Sequence, residues 1–225
     1  MKEKGYLRIV KALSLAVILM FTLYFQGCNS NDTGKENKND IVKSSGEIVE
    51  TKLTDREREL LQGLDVDKYF IFDANIKDKK IGSLELWVDY YEKGSFKNKS
   101  FGLKNDIQLT KEENIKMIFS TQKVMGSKSE EKWTFSTSSN TGGGKGSTNI
   151  KFSQIIRGLT WSSIQRSKIV TEKEIILAAI AGTEGNSMSS ISIDEINADD
   201  EVIKNKAIER LLKNDYVYII KCKFK

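Results

Sequence analysis

The sequence predicts a mainly β, α+β fold, an antiparallel sandwich or open barrel with a short N-terminal helix and one C-terminal amphipathic helix. Three observations carry this prediction. Apolar residues alternate with a period of two through most of the chain beyond residue 63. The alternating segments are short and are separated by Gly, Asn and Ser, which build the turns of a chain that contains no proline. Only two segments have a helical signature.

The first helical signature lies just before the β segments. Thr54-Asp55-Arg56-Glu57 has the form of a capping box, with a hydroxyl N-cap and a carboxylate three residues later. Gly63 follows two leucines and is a typical helix stop. We therefore predict a short helix from Asp55 to about Gln62.

Strand signals fill the middle of the chain. Residues 69–76 and 81–91 alternate with the period of a strand that buries one face. Lys93 and Gly94 predict a tight turn into a strand at 96–103. Further strands are predicted at 115–122, 132–137, 148–152, 159–169, 175–181 and 188–193.

The period changes near the C-terminus. Between Asp199 and Lys213 the apolar residues fall on one helical stripe, and three acidic residues stand at its positive N-terminal end. Asn214 ends this predicted helix, and 216–224 returns to strand character. The chain should therefore close with a strand.

The N-terminus has the layout of an export signal. Residues 1–11 are basic, and 12–25 form an uncharged, mostly apolar stretch of 14 residues, short for a membrane-spanning helix. Phe25-Gln26-Gly27-Cys28 follows and resembles the lipobox of bacterial lipoprotein precursors. That resemblance covers residues 1–28. It implies cleavage before Cys28 by signal peptidase II, a diacylglyceryl group on Cys28, and a location on the extracytoplasmic face of the cell membrane. The alternative is an uncleaved anchor, because 12–30 carries no charge.

This layout divides the chain into three parts: a signal peptide at 1–27, a lipidated cysteine with a polar tether at 28–52, and one β-rich extracellular domain at 53–225. The tether is rich in Asn, Asp, Ser, Gly, Lys and Glu, so it buries too little apolar surface to fold alone. A flexible chain of that length reaches roughly 25–30 Å.

Composition excludes several functions. The chain contains no histidine, which removes Ser-His-Asp and Cys-His catalysis and any His-ligated metal site. Of the net charge of +5, the segment 1–27 carries +3, so we expect no nucleic-acid partner. The cysteines are Cys28 and Cys222, so lipidation of Cys28 leaves no internal disulfide. No sequence feature calls for a cofactor or a metal.

Three local features have plain structural explanations. The glycine-rich segment 139–147 lacks the Gly-Lys-Ser/Thr order and the flanking helix of a phosphate-binding loop, which predicts a mobile hairpin loop. The acidic residues between Asp194 and Glu201 lack the spacing of a calcium loop and suit a helix N-terminus better, although calcium stays a weak alternative. Cys222 shares a strand face with apolar neighbours, which predicts a buried, unreactive thiol.

One strand carries a candidate ligand face. The segment 81–91 places four apolar residues on its core face, namely Leu84, Leu86, Val88 and Tyr90. The other face carries two rings and two carboxylates, namely Glu85, Trp87, Asp89 and Tyr91. Such a set could bind a sugar or a peptide. Its alternative explanation is packing against neighbouring strands or a helix.

We therefore expect a non-enzymatic, lipid-anchored surface module that binds an envelope glycan or protein. The first alternative is an envelope carbohydrate-active enzyme that uses carboxylates, the acid–base groups that remain without histidine. A solute-binding lipoprotein is the weaker alternative, because the alternation of strands and helices typical of such receptors is not visible. A cleft with convergent carboxylates would favour the enzyme, and an aromatic patch would favour the binder.

Overall fold

The computed structural model describes residues 44–107, 112–127, 129–152 and 156–225, which form two antiparallel sheets and short helices. The strands are β1 (Gly46–Glu50), β2 (Lys68–Ile76), β3 (Ser83–Glu92), β4 (Ser95–Asp106), β5 (Glu113–Lys123), β6 (Glu130–Ser138), β7 (Gly143–Lys151), β8 (Gly158–Ser163), β9 (Arg166–Ile169), β10 (Glu174–Thr183) and β11 (Tyr216–Phe224). The helices are α1 (Asp55–Gly63), α2 (Ile193–Ile196) and α3 (Glu201–Leu211).

The strands form a sandwich, which confirms the predicted fold class. The six-stranded sheet has the order β7-β6-β5-β2-β1-β9, and the five-stranded sheet has the order β4-β3-β11-β10-β8. Alternate residues of each strand point into the space between the sheets. Large apolar side chains from both sheets fill this core, among them Phe72, Phe119, Trp133, Phe135 and Phe224.

The two predicted helices are present. Thr54 caps α1 with the predicted capping box, and its hydroxyl accepts from the backbone N–H of Glu57. Asp200 caps α3 and accepts from the N–H groups of Val202 and Ile203. Among the described residues, no helix is long and apolar enough to cross a membrane.

The β3–β4 hairpin also matches its prediction. Lys93 and Gly94 both have positive φ angles, +48° and +76°, which a tight hairpin turn requires at its two central residues. Tyr216 to Phe224 forms the closing strand and lies between β3 and β10.

The predicted boundary between tether and domain is wrong. We assigned 28–52 to the tether, but β1 is an interior strand of the six-stranded sheet and pairs with both β2 and β9. Ile48 is fully buried. The sequence around β1 is polar and gives no strand signal. The strand forms there because β1 pairs with β2 and β9.

Two further strand predictions need correction. The segment 159–169 is not one strand, because β8 pairs with β10 in one sheet and β9 pairs with β1 in the other. The chain crosses between the sheets at Ile164 and Gln165, and Ile164 is fully buried there. The predicted strand at 188–193 is irregular, and α2 begins at its end.

The glycine-rich segment 139–147 is a hairpin as predicted, but much of it is strand rather than loop, since β7 begins at Gly143. Gly144 lets β4 pack closely against β7. A Cβ atom at this position would lie 2.3 Å from the Asn105 side-chain oxygen. Glycine at residue 144 therefore allows the edge strands β4 and β7 to close one side of the sandwich.

Candidate functional site: a tyrosine-lined cleft

A cleft of about 520 Å³ opens at one end of the β4–β7 side of the sandwich. The aromatic residues that line it are Tyr90, Tyr216, Tyr218 and Phe152. Its other lining residues are Glu92, Asn98, Lys99, Ser100, Asn149, Ile150, Lys151 and Ile156. The cleft therefore combines rings with amide and hydroxyl groups and with the charged residues Glu92, Lys99 and Lys151.

Strand register brings the tyrosines together. Tyr90 on β3 is the direct cross-strand neighbour of Tyr218 on β11, and their rings stack with centroids 4.8 Å apart. Trp133 packs edge-on against Tyr218 from the other sheet, also at 4.8 Å. Because Tyr218 is wedged between the two sheets, it is fixed, whereas Tyr90 is only half-buried and offers ring surface to the cleft.

The tyrosine hydroxyls stay protonated at physiological pH. Burial raises the pKa of Tyr218, and the nearby Tyr90 and Glu131 raise it further. Burial also raises the pKa of Tyr216, whose hydroxyl donates a hydrogen bond to Glu184. These hydroxyls are therefore hydrogen-bonding groups rather than nucleophiles or bases.

Several charged side chains in and near the cleft have ion-pair partners. Glu92 lies 3.5 Å from the Lys97 ammonium. Behind Tyr218, the buried Lys68 ammonium is 3.2 Å from Glu131, which also accepts a hydrogen bond from the Trp133 indole at 3.0 Å. Glu92 is the one carboxylate among the described lining residues. A pair of carboxylates facing each other across the cleft, as glycoside hydrolysis needs, is thus not present among them.

A second cleft of about 550 Å³ lies at the opposite end of the same side, near Leu84, Asn105 and Thr137. Its described lining contains no aromatic ring. The lining residue Thr141 donates hydrogen bonds from its backbone N–H and its hydroxyl to Glu113, at 3.2 and 2.9 Å. The first cleft is therefore the better candidate for recognition.

The face predicted from strand alternation exists but is largely covered. Glu85, Trp87, Asp89 and Tyr91 do lie opposite the core face of β3, yet Trp87 is 7% and Asp89 5% exposed. The Lys99 ammonium lies 4.8 Å from the centre of the Trp87 ring. Ligand binding by this face stays a prediction, and its two central side chains are packed rather than open.

Ion pairs connect the side chains on this outer face. The Lys221 ammonium contacts Asp89 at 2.7 Å and Glu174 at 3.3 Å, and Lys225 contacts Glu85 at 2.9 Å. Burial, the largest single influence, would lower the pKa of Lys221, but the hydrogen bond to Asp89 and the negative charges of Asp89 and Glu174 together outweigh burial and raise that pKa. The same kind of hydrogen bond, from Lys225, lowers the pKa of Glu85.

The remaining sequence features have structural roles. Cys222 is fully buried, and that burial raises the pKa of its thiol. Asp200 caps α3, while Glu195 pairs with Arg210. In the described part of the chain, no group of three or more acidic or cysteine side chains is placed to hold a metal ion. Cys28 lies outside the described residues.

Sequence reasoning missed the tyrosine-lined cleft. Tyr90 was assigned to the core, and Tyr216 and Tyr218 were read as part of the last strand. The sequence holds only part of the signal, because Tyr216 and Tyr218 alternate on the last strand, whereas the position of Tyr218 opposite Tyr90 follows from strand pairing. Which strands pair is a non-local fact, so the signal could not be read without the sheet order.

Taken together, fold and cleft define a two-sheet antiparallel β-sandwich with an aromatic cleft at one end. The chain matches the model of the YgaN domain over residues 47–224. It therefore belongs to the YgaN domain family. The match begins inside β1 and ends at the last residue of β11, so it spans the whole described sandwich. No curated protein and no solved structure matches the chain.

Proposed function

We propose that the chain is a lipid-anchored, extracytoplasmic binding module that holds an envelope glycan in the tyrosine-lined cleft. The anchor rests on the basic and apolar segments of 1–25 and on Cys28. The recognition role rests on the cleft. Its rings offer stacking surfaces for sugar rings, and its amides and hydroxyls offer donors and acceptors for sugar hydroxyls.

The observation that carries the proposal is the combination of a half-buried Tyr90 ring with the exposed amides Asn98 and Asn149. A binder needs such groups in place before the ligand arrives. The enzyme alternative is less favoured, because the lone lining carboxylate, Glu92, is paired with Lys97. The solute-binding alternative is also less favoured, because the described strands are antiparallel rather than joined by helices in parallel units.

Binding is tested on the full-length protein in detergent micelles by calorimetric titration with peptidoglycan glycan strands freed of peptide. Tyr90→Ala should weaken binding, and Tyr69→Ala on β2 is the matched control, because it is also a half-buried tyrosine but lies outside the cleft lining and outside the outer face of β3. Asn149→Ala should weaken binding at little cost in stability, since exposed positions typically change stability by about 0.5 kcal/mol or less.

Equal affinity for all three variants and the wild type would refute the cleft as the site. Binding of free stem peptides, but not of peptide-free strands, would replace the glycan by a peptide ligand. Turnover of the strands would favour the enzyme.

The anchor is tested separately by metabolic labelling with a fatty-acid analogue. Cys28→Ala should abolish the label and release the protein from the membrane or leave it as uncleaved precursor. Cys222→Ala is the control, because the buried thiol should carry no lipid. Equal labelling of wild type and Cys28→Ala would refute the lipoprotein assignment.

A further inference from the structure

Two buried polar atoms on the outer face of β3 have no hydrogen-bond partner. They are the indole nitrogen of Trp87 and one carboxylate oxygen of Asp89. Both side chains are more than nine-tenths buried. They stand two residues apart on one strand face, about 7 Å apart at Cα, with the side chains pointing the same way.

The two atoms are chemically complementary. The indole N–H can only donate, and the carboxylate oxygen can only accept. Leaving either atom without a partner destabilises the fold, which is why buried polar atoms in folded proteins are almost always paired. A single hydroxyl group satisfies both at once, because it accepts from the indole and donates to the carboxylate.

The geometry around Asp89 fixes its orientation. The second oxygen of Asp89 is 2.7 Å from the Lys221 ammonium, and Lys221 is itself held by Glu174 at 3.3 Å. The carboxylate therefore cannot turn away to find another donor. Its unpartnered oxygen therefore stays on the strand face that it shares with Trp87.

The side chain of Lys99 lies over Trp87. Lys99 is an exposed residue, and its ammonium is 4.8 Å from the centre of the Trp87 ring. An exposed contact between an ammonium and an aromatic ring contributes little to stability. A sugar ring that stacks on Trp87 could therefore displace Lys99 at small cost.

The covering side chain also connects this place to the cleft. The register of β3 and β4 shifts between Val88 and Asp89, so Ser100 has no partner of its own and Lys99 faces Asp89. The segment 98–100 lines the tyrosine-lined cleft on the other side of the sheet. Bulges of this kind often redirect side chains next to binding sites.

From this arrangement we infer a second saccharide subsite on the outer face, in which a sugar ring replaces Lys99 over Trp87 and one sugar hydroxyl bridges the Trp87 indole nitrogen and Asp89. The ligand class is the glycan of the proposed function, and the inference rests on that function. The two places lie on either side of the edge strand β4. One glycan strand could therefore occupy both around that edge.

The test follows indole N–H signals by NMR on the full-length protein. The chain has three tryptophans, so the Trp87 signal is assigned by its loss in Trp87→Phe. Peptide-free peptidoglycan strands of increasing length are the probe. We expect longer strands to shift the Trp87 signal and Trp87→Phe to lower their affinity about 2–10-fold, as loss of one hydrogen bond predicts. Lys99→Ala should raise the affinity, and Lys104→Ala on the same strand should not.

The outcomes separate the two proposals. A silent Trp87 signal, with binding lost in Tyr90→Ala, overturns the second subsite and leaves the cleft. A responsive Trp87 signal, with binding unchanged in Tyr90→Ala, supports the subsite and refutes the cleft. If the Trp87 signal does not shift and Tyr90→Ala does not weaken binding, both the subsite and the cleft are refuted. The subsite is also overturned if the indole N–H of Trp87 contacts only water and its NMR signal does not shift with glycan strands of any length. The wild-type signal is read directly, so the result stands even if Trp87→Phe folds poorly.

Discussion

The two faces of the five-stranded sheet satisfy their side chains in different ways. On the inner face, Leu86 lies beside Cys222 and Val88 beside Ile220, so the contacts are apolar. On the outer face, Trp87 lies beside Lys221 and Glu85 beside Lys223, so charges and rings alternate. The inner face is stabilised by burial of apolar surface area, whereas the outer face depends on specific ion pairs and ring contacts.

The comparison teaches that burial alone does not define a core. Trp87 and Asp89 are nearly as buried as Leu86, yet they keep unpartnered polar atoms that Leu86 does not have. Buried polar groups destabilise the fold when some of their hydrogen bonds are missing. When all of those hydrogen bonds are made, the groups favour one specific arrangement. The outer face is thus the part of this sheet where a ligand can add hydrogen bonds.

The largest expected effect comes from Trp87→Ala. Because the ring is buried, its loss should lower the free energy of unfolding by about 3–5 kcal/mol, compared with about 2–5 kcal/mol for Leu86→Ala. Chemical denaturation of both variants measures the two values. If Trp87→Ala is silent while Leu86→Ala is destabilising, the outer face is open and the packed arrangement around Lys99 is wrong.

A smaller effect is expected for Asp89→Asn. It removes the charge that holds the Lys221 ammonium, and hydrogen bonds to charged groups contribute about 1.5–3 kcal/mol. Lys221 keeps Glu174, so the loss should fall at the lower end of that range. Lys221→Met tested alone and with Asp89→Asn completes a double-mutant cycle. Additive losses would show that the two side chains do not interact.

A still smaller effect should appear at acid pH. The hydrogen bond from Lys225 lowers the pKa of Glu85, so this group stabilises the fold above the pKa it has when unfolded. That contribution disappears as pH falls through the folded pKa. Because the pair is partly exposed, it is worth no more than about 1 kcal/mol. Glu85→Gln should therefore flatten the acid limb of a plot of melting temperature against pH, and an unchanged limb would contradict the pairing.

The inner face should give no response at all to a thiol reagent. Cys222 is fully buried, and burial raises the pKa of its thiol, so neither access nor thiolate is available in the folded protein. A maleimide should label Cys222 only after unfolding, which mass spectrometry of the Cys222-containing peptide detects. Labelling under native conditions would mean that the inner face opens readily.

Much of the fold was readable from the sequence. The period-two pattern of β3 separated Leu86 from Trp87, the capping box located α1, and Lys93-Gly94 located the hairpin. Each is a local property of a few neighbouring residues. The site was less readable, because sequence reasoning found the outer face but not that Lys99 and Lys221, from two other strands, cover it.

The sequence by itself determined a mainly β chain with two capped helices, a buried Cys222 and two chemically distinct faces on β3. It did so because backbone geometry imposes a period on side chains wherever a strand forms. Tertiary structure alone decided that β1 belongs to the sheet, that 158–169 crosses between sheets at Ile164, and that Tyr90 meets Tyr218. Those outcomes depend on which distant strands pair. Strand pairing is determined by the free energy of the whole core, so it cannot be derived from any short stretch of sequence.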